Sequence, residues 1–299
     1  MLLVVLIALV AAAAAVGLEG GWPAAGGAPS EGPLDPAAFA PGACVALAPS
    51  AGDNHRTVFL DAGHGGVDPG AVGSTEAGTT VYEGTLTLPV ELDAAALLRA
   101  RGYRVVVSRT ADTTVVRLGP ADLSGGALSL LGAHDDVAAR DRCADLARAD
   151  VLVGIYFDAG AGPQDAGSVT AYDAVRPFAA ANQRLATLVQ QDVLEAMNAQ
   201  GWGIPDDGVV TDGVVGSLVP TSSASPIARG AATYGHLLLL GPADPGYFST
   251  PSLMPGAVVE PLFVTDPFEA SVAVSAHGQQ VIARGIAAAV QQFSTPAHG

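Results

Sequence analysis

Basic residues are scarce in this 299-residue chain: 13 lysines and arginines face 29 acids, for a formal net charge of -16. Such a surface repels phosphate backbones, which excludes nucleic acid as a partner. It also argues against electrostatic docking on anionic lipids or teichoic acids. Cysteine is nearly absent. Two residues, Cys44 and Cys143, exclude a disulfide scaffold. They suffice for one bridge in an oxidising compartment, but their places in the chain leave the pairing open. Charged residues make up 14% and aromatics 5%, while hydrophobic residues reach 49%. The chain can therefore bury a sizeable core, built on small aliphatic side chains. There is no internal repeat.

One long hydrophobic run stands out, at residues 2–16. It falls short of the roughly 20 residues that span a bilayer comfortably. Gly/Pro/Ala-rich sequence follows it, and no basic segment precedes it. It reads as the hydrophobic part of a secretory signal or as a short membrane anchor. The expectation is an exported protein, in the extracellular space, cell wall or periplasm, with any membrane attachment confined to this segment.

Residues 17–56 read as a flexible linker with little capacity for a core. From Thr57 the texture changes. Apolar, β-branched runs at 57–61, 103–108, 151–157, 168–172, 237–240 and 257–262 predict strands. Helical spacing predicts helices over 83–101, 136–148, 177–200 and 275–293. Gly102 and Gly201 stand where helix-ending glycines belong. The alternation implies a single α/β domain over 57–293, with a mostly parallel twisted sheet of about six strands and helices on both faces. Residues 294–299 form a tail. Two Gly/Ser-rich stretches, 115–133 and 202–231, read as loops, and such loops often flank the site at the carboxyl ends of the strands.

The densest chemistry lies in Asp61-Ala62-Gly63-His64-Gly65-Gly66-Val67-Asp68-Pro69-Gly70. A strand delivers a histidine into a turn whose glycines permit positive φ and close backbone approach. An imidazole presented this way suits zinc. Downstream, Glu83 opens a helix, where the helix dipole alone would also favour an acid. Ser108-Arg109-Thr110-Ala111-Asp112 leaves the next strand. Glu260-Pro261-Leu262-Phe263 closes a late strand, before Asp266-Pro267 starts a helix. An acid at a strand's carboxyl end can move protons beside a dication or form a structural ion pair.

Together these segments resemble the catalytic domain of the zinc-dependent N-acetylmuramoyl-L-alanine amidases. The resemblance implies zinc held by His64 and Glu83, with Glu260 as catalytic acid/base. It implies hydrolysis of the amide between the lactyl group of N-acetylmuramic acid and L-alanine, peptidoglycan as partner, and a monomer. The pattern departs at one point. The family's third zinc ligand is a histidine after an Ala-Asp strand start, and Tyr156 stands there in Asp150-Val151-Leu152-Val153-Gly154-Ile155-Tyr156-Phe157-Asp158. A phenol with an ordinary pKa near 10 is a poor ligand at neutral pH. Tyr156 itself, Asp158 or His134 are the candidates for the third position. Otherwise the site holds metal weakly, and the alternative is a catalytically impaired amidase-fold protein that binds or regulates the wall. His236 is a further histidine that could substitute, but at the head of an apolar run it reads rather as a core histidine. Trp202, Tyr247 and Phe248 are loop aromatics.

Overall fold

The computed structural model describes residues 31–215 and 226–295. The apolar run at 2–16 lies outside them. Among the described residues no helix is long and apolar enough to cross a membrane.

In chain order the elements are β1 (Ala43–Leu47), β2 (Thr57–Ala62), β3 (Val72–Ser74), β4 (Thr80–Tyr82), α1 (Glu83–Arg99) and β5 (Arg104–Arg109). Then come β6 (Leu123–Ser124), β7 (Ala127–Leu128), α2 (Leu130–Ala147), β8 (Val151–Ile155), β9 (Ser168–Tyr172) and α3 (Ala179–Asn198). The chain continues through β10 (Asp206–Thr211), α4 (Asp212–Val215), α5 (Pro226–Tyr234), β11 (Gly256–Glu260), α6 (Pro267–Val274) and α7 (Ala276–Ser294). Seven strands form the central sheet in the order β1-β5-β2-β8-β11-β9-β10. The core β5-β2-β8-β11 is parallel, β1 and β9 join antiparallel, and β10 runs parallel to β9. The mostly parallel α/β sheet expected from the sequence is present, one strand larger.

Side chains along these strands alternate between two cores, as the two-residue period of a pleated strand requires. Val58, Leu60, Val105, Val107, Val153, Ile155 and Val259 face a core shared with α1, α3 and α7. Phe59, Val106, Leu152 and Val258 face the opposite core, with α2. Both faces are covered, so the strands read as continuous apolar runs. The helix ends follow capping rules. Ser275 accepts the Gly278 N–H, and Asp266 accepts the Glu269 N–H with Pro267 in the first turn.

Three expectations are corrected. The segment taken as linker supplies β1, because Val45 to Leu47 find partners in β5, and Cys44 forms a disulfide with Cys143 of α2. The stretch 202–231 contributes β10, whose Val209 and Val210 pair with Thr170 and Ala171. The run at 237–240 is not a strand. The N–H groups of Leu240 and Gly241 both bond the Leu237 carbonyl in a turn, and Leu239 and Leu240 are buried in the α2 core instead of pairing. A four-residue apolar run signals burial without specifying how the backbone is satisfied. Helix α2 also begins earlier than expected, with Ser129 accepting the Gly132 N–H.

A carboxyl group is locked inside the sheet–helix interface. Glu91, fully buried on α1, accepts from the Ser108 N–H at 2.7 Å, the Ser108 hydroxyl at 3.0 Å and the Ala62 N–H at 3.2 Å, all through one oxygen. Burial outweighs the nearby Arg109 and raises its pKa from 4.5 to about 8. A raised folded-state pKa adds stability below pH 4.5 that is lost as pH rises towards about 8. Glu91→Gln keeps an acceptor for the three donors and cannot ionise. Wild-type denaturation midpoints are expected to fall more steeply between pH 4.5 and 8 than the variant's, the difference being the share that Glu91 contributes.

Candidate active site

The loop leaving β2 owes its shape to missing side chains. A Cβ on Gly63 would lie 2.4 Å from the Tyr156 ring, and one on Gly70 would lie 2.6 Å from Glu83 Oε2 and 2.7 Å from the His64 ring. Between them His64 adopts a left-handed φ of 58°, a conformation costly for a residue with a Cβ and kept only when its surroundings hold it. They do so through the Arg-Thr-x-Asp turn. Arg109, fully buried, donates to the Ala62, Gly63 and Gly84 carbonyls and to the Thr87 hydroxyl. Asp112 accepts the Gly66 N–H at 2.7 Å.

His64 is clamped at both nitrogens. Nδ1 lies 2.8 Å from Asp68 Oδ2, and Nε2 lies 3.2 Å from Glu83 Oε2. Burial disfavours the imidazolium, but the hydrogen bonds to Asp68 and Glu83 outweigh it and raise the pKa from 6.5 to about 10. Glu83 is buried at the start of α1. Its Oε2 also accepts the Ala71 N–H at 2.8 Å, and its Oε1 accepts the Phe157 N–H at 2.9 Å. Two ligands of a tetrahedral zinc ion, with bonds near 2.0–2.1 Å, stand about 3.3 Å apart. The 3.2 Å between His64 Nε2 and Glu83 Oε2 fits that spacing.

Glu260, the last residue of β11, lines a cavity of about 360 Å³ with His64, Tyr156, His134, His236 and Tyr247. Burial, then the neighbouring carboxylates of Asp158 and Glu83, push its carboxyl well above the usual range. His64, Glu83 and Glu260, from three distant segments, thus meet at one end of the parallel strands.

The candidates for a third metal ligand are placed differently. The Tyr156 hydroxyl donates to Asp61 Oδ2 at 3.1 Å. Burial and that carboxylate keep the phenol protonated far into the alkaline range, so it offers no anionic oxygen. Asp61 is itself spoken for. Arg140, buried on α2, reaches Asp61 Oδ1 at 2.6 Å, Asp136 Oδ2 at 2.8 Å, and the Ala62 and His64 carbonyls. His134 sits in α2, not in a loop. Its Nδ1 faces Asp135 at 2.9 Å and its Nε2 the Tyr247 carbonyl at 3.0 Å, so both nitrogens are engaged. Asp158 lies beside Glu260 and caps the Ala159 N–H. Among the described residues, the three-residue His/Asp/Glu group whose donor atoms approach within 4.8 Å of one another is Asp173, Asp212 and His236, not the set around His64.

A family model described as N-acetylmuramoyl-L-alanine amidase matches residues 58–292. The chain belongs to the N-acetylmuramoyl-L-alanine amidase family. No curated protein matches the sequence. Among solved structures it is similar to an N-acetylmuramoyl-L-alanine amidase from Clostridium difficile 630, at 25% identity and TM-score 0.55, covering 83% of this chain and 100% of that one. It also resembles the amidase AmiC2 of Nostoc punctiforme, at 21% identity and TM-score 0.53, covering 81% and 98%. The amidase Ami1 of Mycobacterium smegmatis aligns at 18% identity and TM-score 0.51, covering 81% and 98%. The last two likenesses are of fold.

Sequence reading of this amidase-family chain found His64, Glu83 and Glu260 but gave no role to Asp68, Asp61, Asp136, Asp173 or Asp212. Asp68 was signalled by its i+4 spacing from His64 within the glycine-rich string. Asp61, Asp173 and Asp212 depend on partners far away in sequence, and Asp136 pairs with Arg140 at i+4 and with the distant Val115 and Val116 N–H groups. His236 is not a strand-opening core histidine: it lies in a turn, half-buried, beside two carboxylates.

Removing one clamp on the imidazole should release it. Asp68→Asn is expected to lower the His64 pKa from about 10 towards the ordinary 6.5 in an NMR titration of the metal-free protein. An unchanged value would mean that Glu83 alone holds the charge.

Proposed function

We propose that this chain is a peptidoglycan hydrolase that cleaves the amide between the lactyl group of N-acetylmuramic acid and L-alanine. The observation that carries this reading is that His64 and Glu260 line one cavity with Glu83 held against His64, within a family match that spans nearly the whole folded region. His64 and Glu83 are the residues that would hold zinc, with Asp68 orienting the imidazole through its other nitrogen. Zinc bound there would polarise the scissile carbonyl and acidify the attacking water.

The protein's own part in the reaction falls to Glu260. Burial and like-charged neighbours raise its pKa above the usual carboxylate range, which makes it a stronger base once ionised. Glu260 takes the proton of the attacking water and returns it to the amine of L-alanine as the C–N bond breaks. The apolar cavity wall formed by Tyr156, Leu237, Leu239 and Val258 excludes bulk water from that exchange. The Cys44–Cys143 disulfide supports an exported location, since such bonds persist in oxidising compartments.

One observation favours a second reading, an amidase-fold protein that binds or regulates the wall with impaired catalysis. The third ligand position is filled by Tyr156, whose hydroxyl is committed to Asp61. Catalytic zinc sites present three protein ligands plus water, and a hydroxyl donating to Asp61 argues against Tyr156 as the third.

Release of stem peptide from purified peptidoglycan separates the two readings. Under the first, wild type plus Zn²⁺ shows turnover, and Glu260→Gln loses at least about 100-fold in rate while still sedimenting with the wall. Under the second, wild type sediments with the wall and shows no turnover at any zinc concentration. Tyr156→His is expected to raise zinc affinity by about tenfold or more, measured by competition with a chromogenic chelator. An unaltered affinity would show that position 156 does not face the metal.

A further inference from the structure

Asp173, Asp212 and His236 form a second polar cluster, built from different elements than the site around His64. Asp173 follows β9, Asp212 opens α4 directly after β10, and His236 lies in the turn that follows α5. Their donor atoms lie within 4.8 Å of one another. His236 Nδ1 stands 2.9 Å from Asp173 Oδ2 and 3.4 Å from Asp212 Oδ2. These separations bracket the roughly 3.3 Å between neighbouring ligands of a tetrahedral ion.

An independent observation points to a missing ligand. Asp173 has 0% exposure, yet its Oδ2 accepts no hydrogen bond. Its other oxygen takes the N–H groups of Val175 and Arg176, both at 2.8 Å, so the turn fixes the carboxylate and aims the free oxygen into the cluster. The neighbouring Arg176 guanidinium is directed at the carbonyls of Leu240, Gly241 and Ser252. The imidazole Nδ1 lies 3.4 Å from Asp212 Oδ1. The 2.9 Å between His236 Nδ1 and Asp173 Oδ2 is a separation that two ligands of one cation can adopt.

We propose that Asp173, Asp212 and His236 bind a divalent transition-metal cation, with zinc the best match to the donors. One imidazole and two carboxylates form a borderline donor set, whereas calcium and magnesium favour oxygen alone. Both acids are buried, and only His236 reaches the cavity wall, so the ion is structural. It ties the end of β9, the start of α4 and the 235–241 turn together. His236 and the Leu237–Leu239 stretch line the cavity that holds His64 and Glu260, so this ion also sets the position of that wall. The proposal does not rest on the amidase reading.

The test uses the untagged full chain carrying His64→Ala, which removes the imidazole of the other candidate site. After equilibration with Zn²⁺ and desalting, metal content is measured by plasma mass spectrometry and the unfolding midpoint by circular dichroism. The expected result is about one zinc retained per chain, with a midpoint several degrees above that of chelator-treated protein. Adding Asp173→Asn or, separately, His236→Gln should abolish both. If Asp173→Asn does not fold, His236→Gln at its half-buried position decides. Absence of retained zinc in the His64→Ala chain overturns the proposal, as does zinc retained undiminished in the His236→Gln chain.

Discussion

The arrangement depends above all on the carboxylate of Glu83. One side chain receives the Ala71 N–H from the loop after β2, the Phe157 N–H from the end of β8, and His64 Nε2. The loop after β2 and the end of β8 are thus registered against the first residue of α1, in a place that excludes water. Charge-assisted hydrogen bonds of this kind are shorter and stronger than neutral ones, and leaving such donors unpaired in a buried site is expensive. The helix start adds a favourable field for a negative group. The same carboxylate therefore organises the backbone and presents an oxygen towards the imidazole.

Behind it lies a buried ionic network that explains how Tyr156 is accommodated. Arg140 neutralises Asp61 and Asp136 and ties off two carbonyls of the His64 loop, while Asp136 also accepts the Val115 and Val116 N–H groups. Removing one member of such a set leaves an uncompensated charge in the interior. Tyr156 enters this network through its hydroxyl and lays its ring on Gly63, where no side chain would fit. The residue at the expected ligand position has become part of the support for the loop, and its chemistry has changed from donor of a lone pair to donor of a proton.

Much of this was readable before any coordinates. The glycine pattern around His64 implied positive φ, and the loop has it at His64, Gly65, Gly66 and Gly70. Glu83 and Glu260 were placed by their positions at a helix start and a strand end. The strands at 57–61 and 103–108 were legible because both faces are buried, which leaves a continuous apolar signature. β1 and β10 were not legible: β1 is short and buries mainly small residues inside a Gly/Pro/Ala-rich stretch, and β10 is an edge strand that buries little and tolerates glycine and aspartate. The 237–240 run misled for the opposite reason: Leu239 and Leu240 are buried, but by a turn.

The sequence by itself determined the alternation of strand and helix, the shape of the His64 loop and the substitution at position 156. Each follows from local backbone preference or from which residue occupies one place. Only the tertiary structure decided that Cys44 meets Cys143, that both nitrogens of His134 are engaged, and that Tyr156 turns to Asp61. It alone also brought Asp173, Asp212 and His236 together. Most of these contacts join residues tens of positions apart, and whether a side chain ends as ligand or strut depends on distances of a few tenths of an ångström. No local pattern in the chain encodes such distances; they emerge when the whole sheet closes around them.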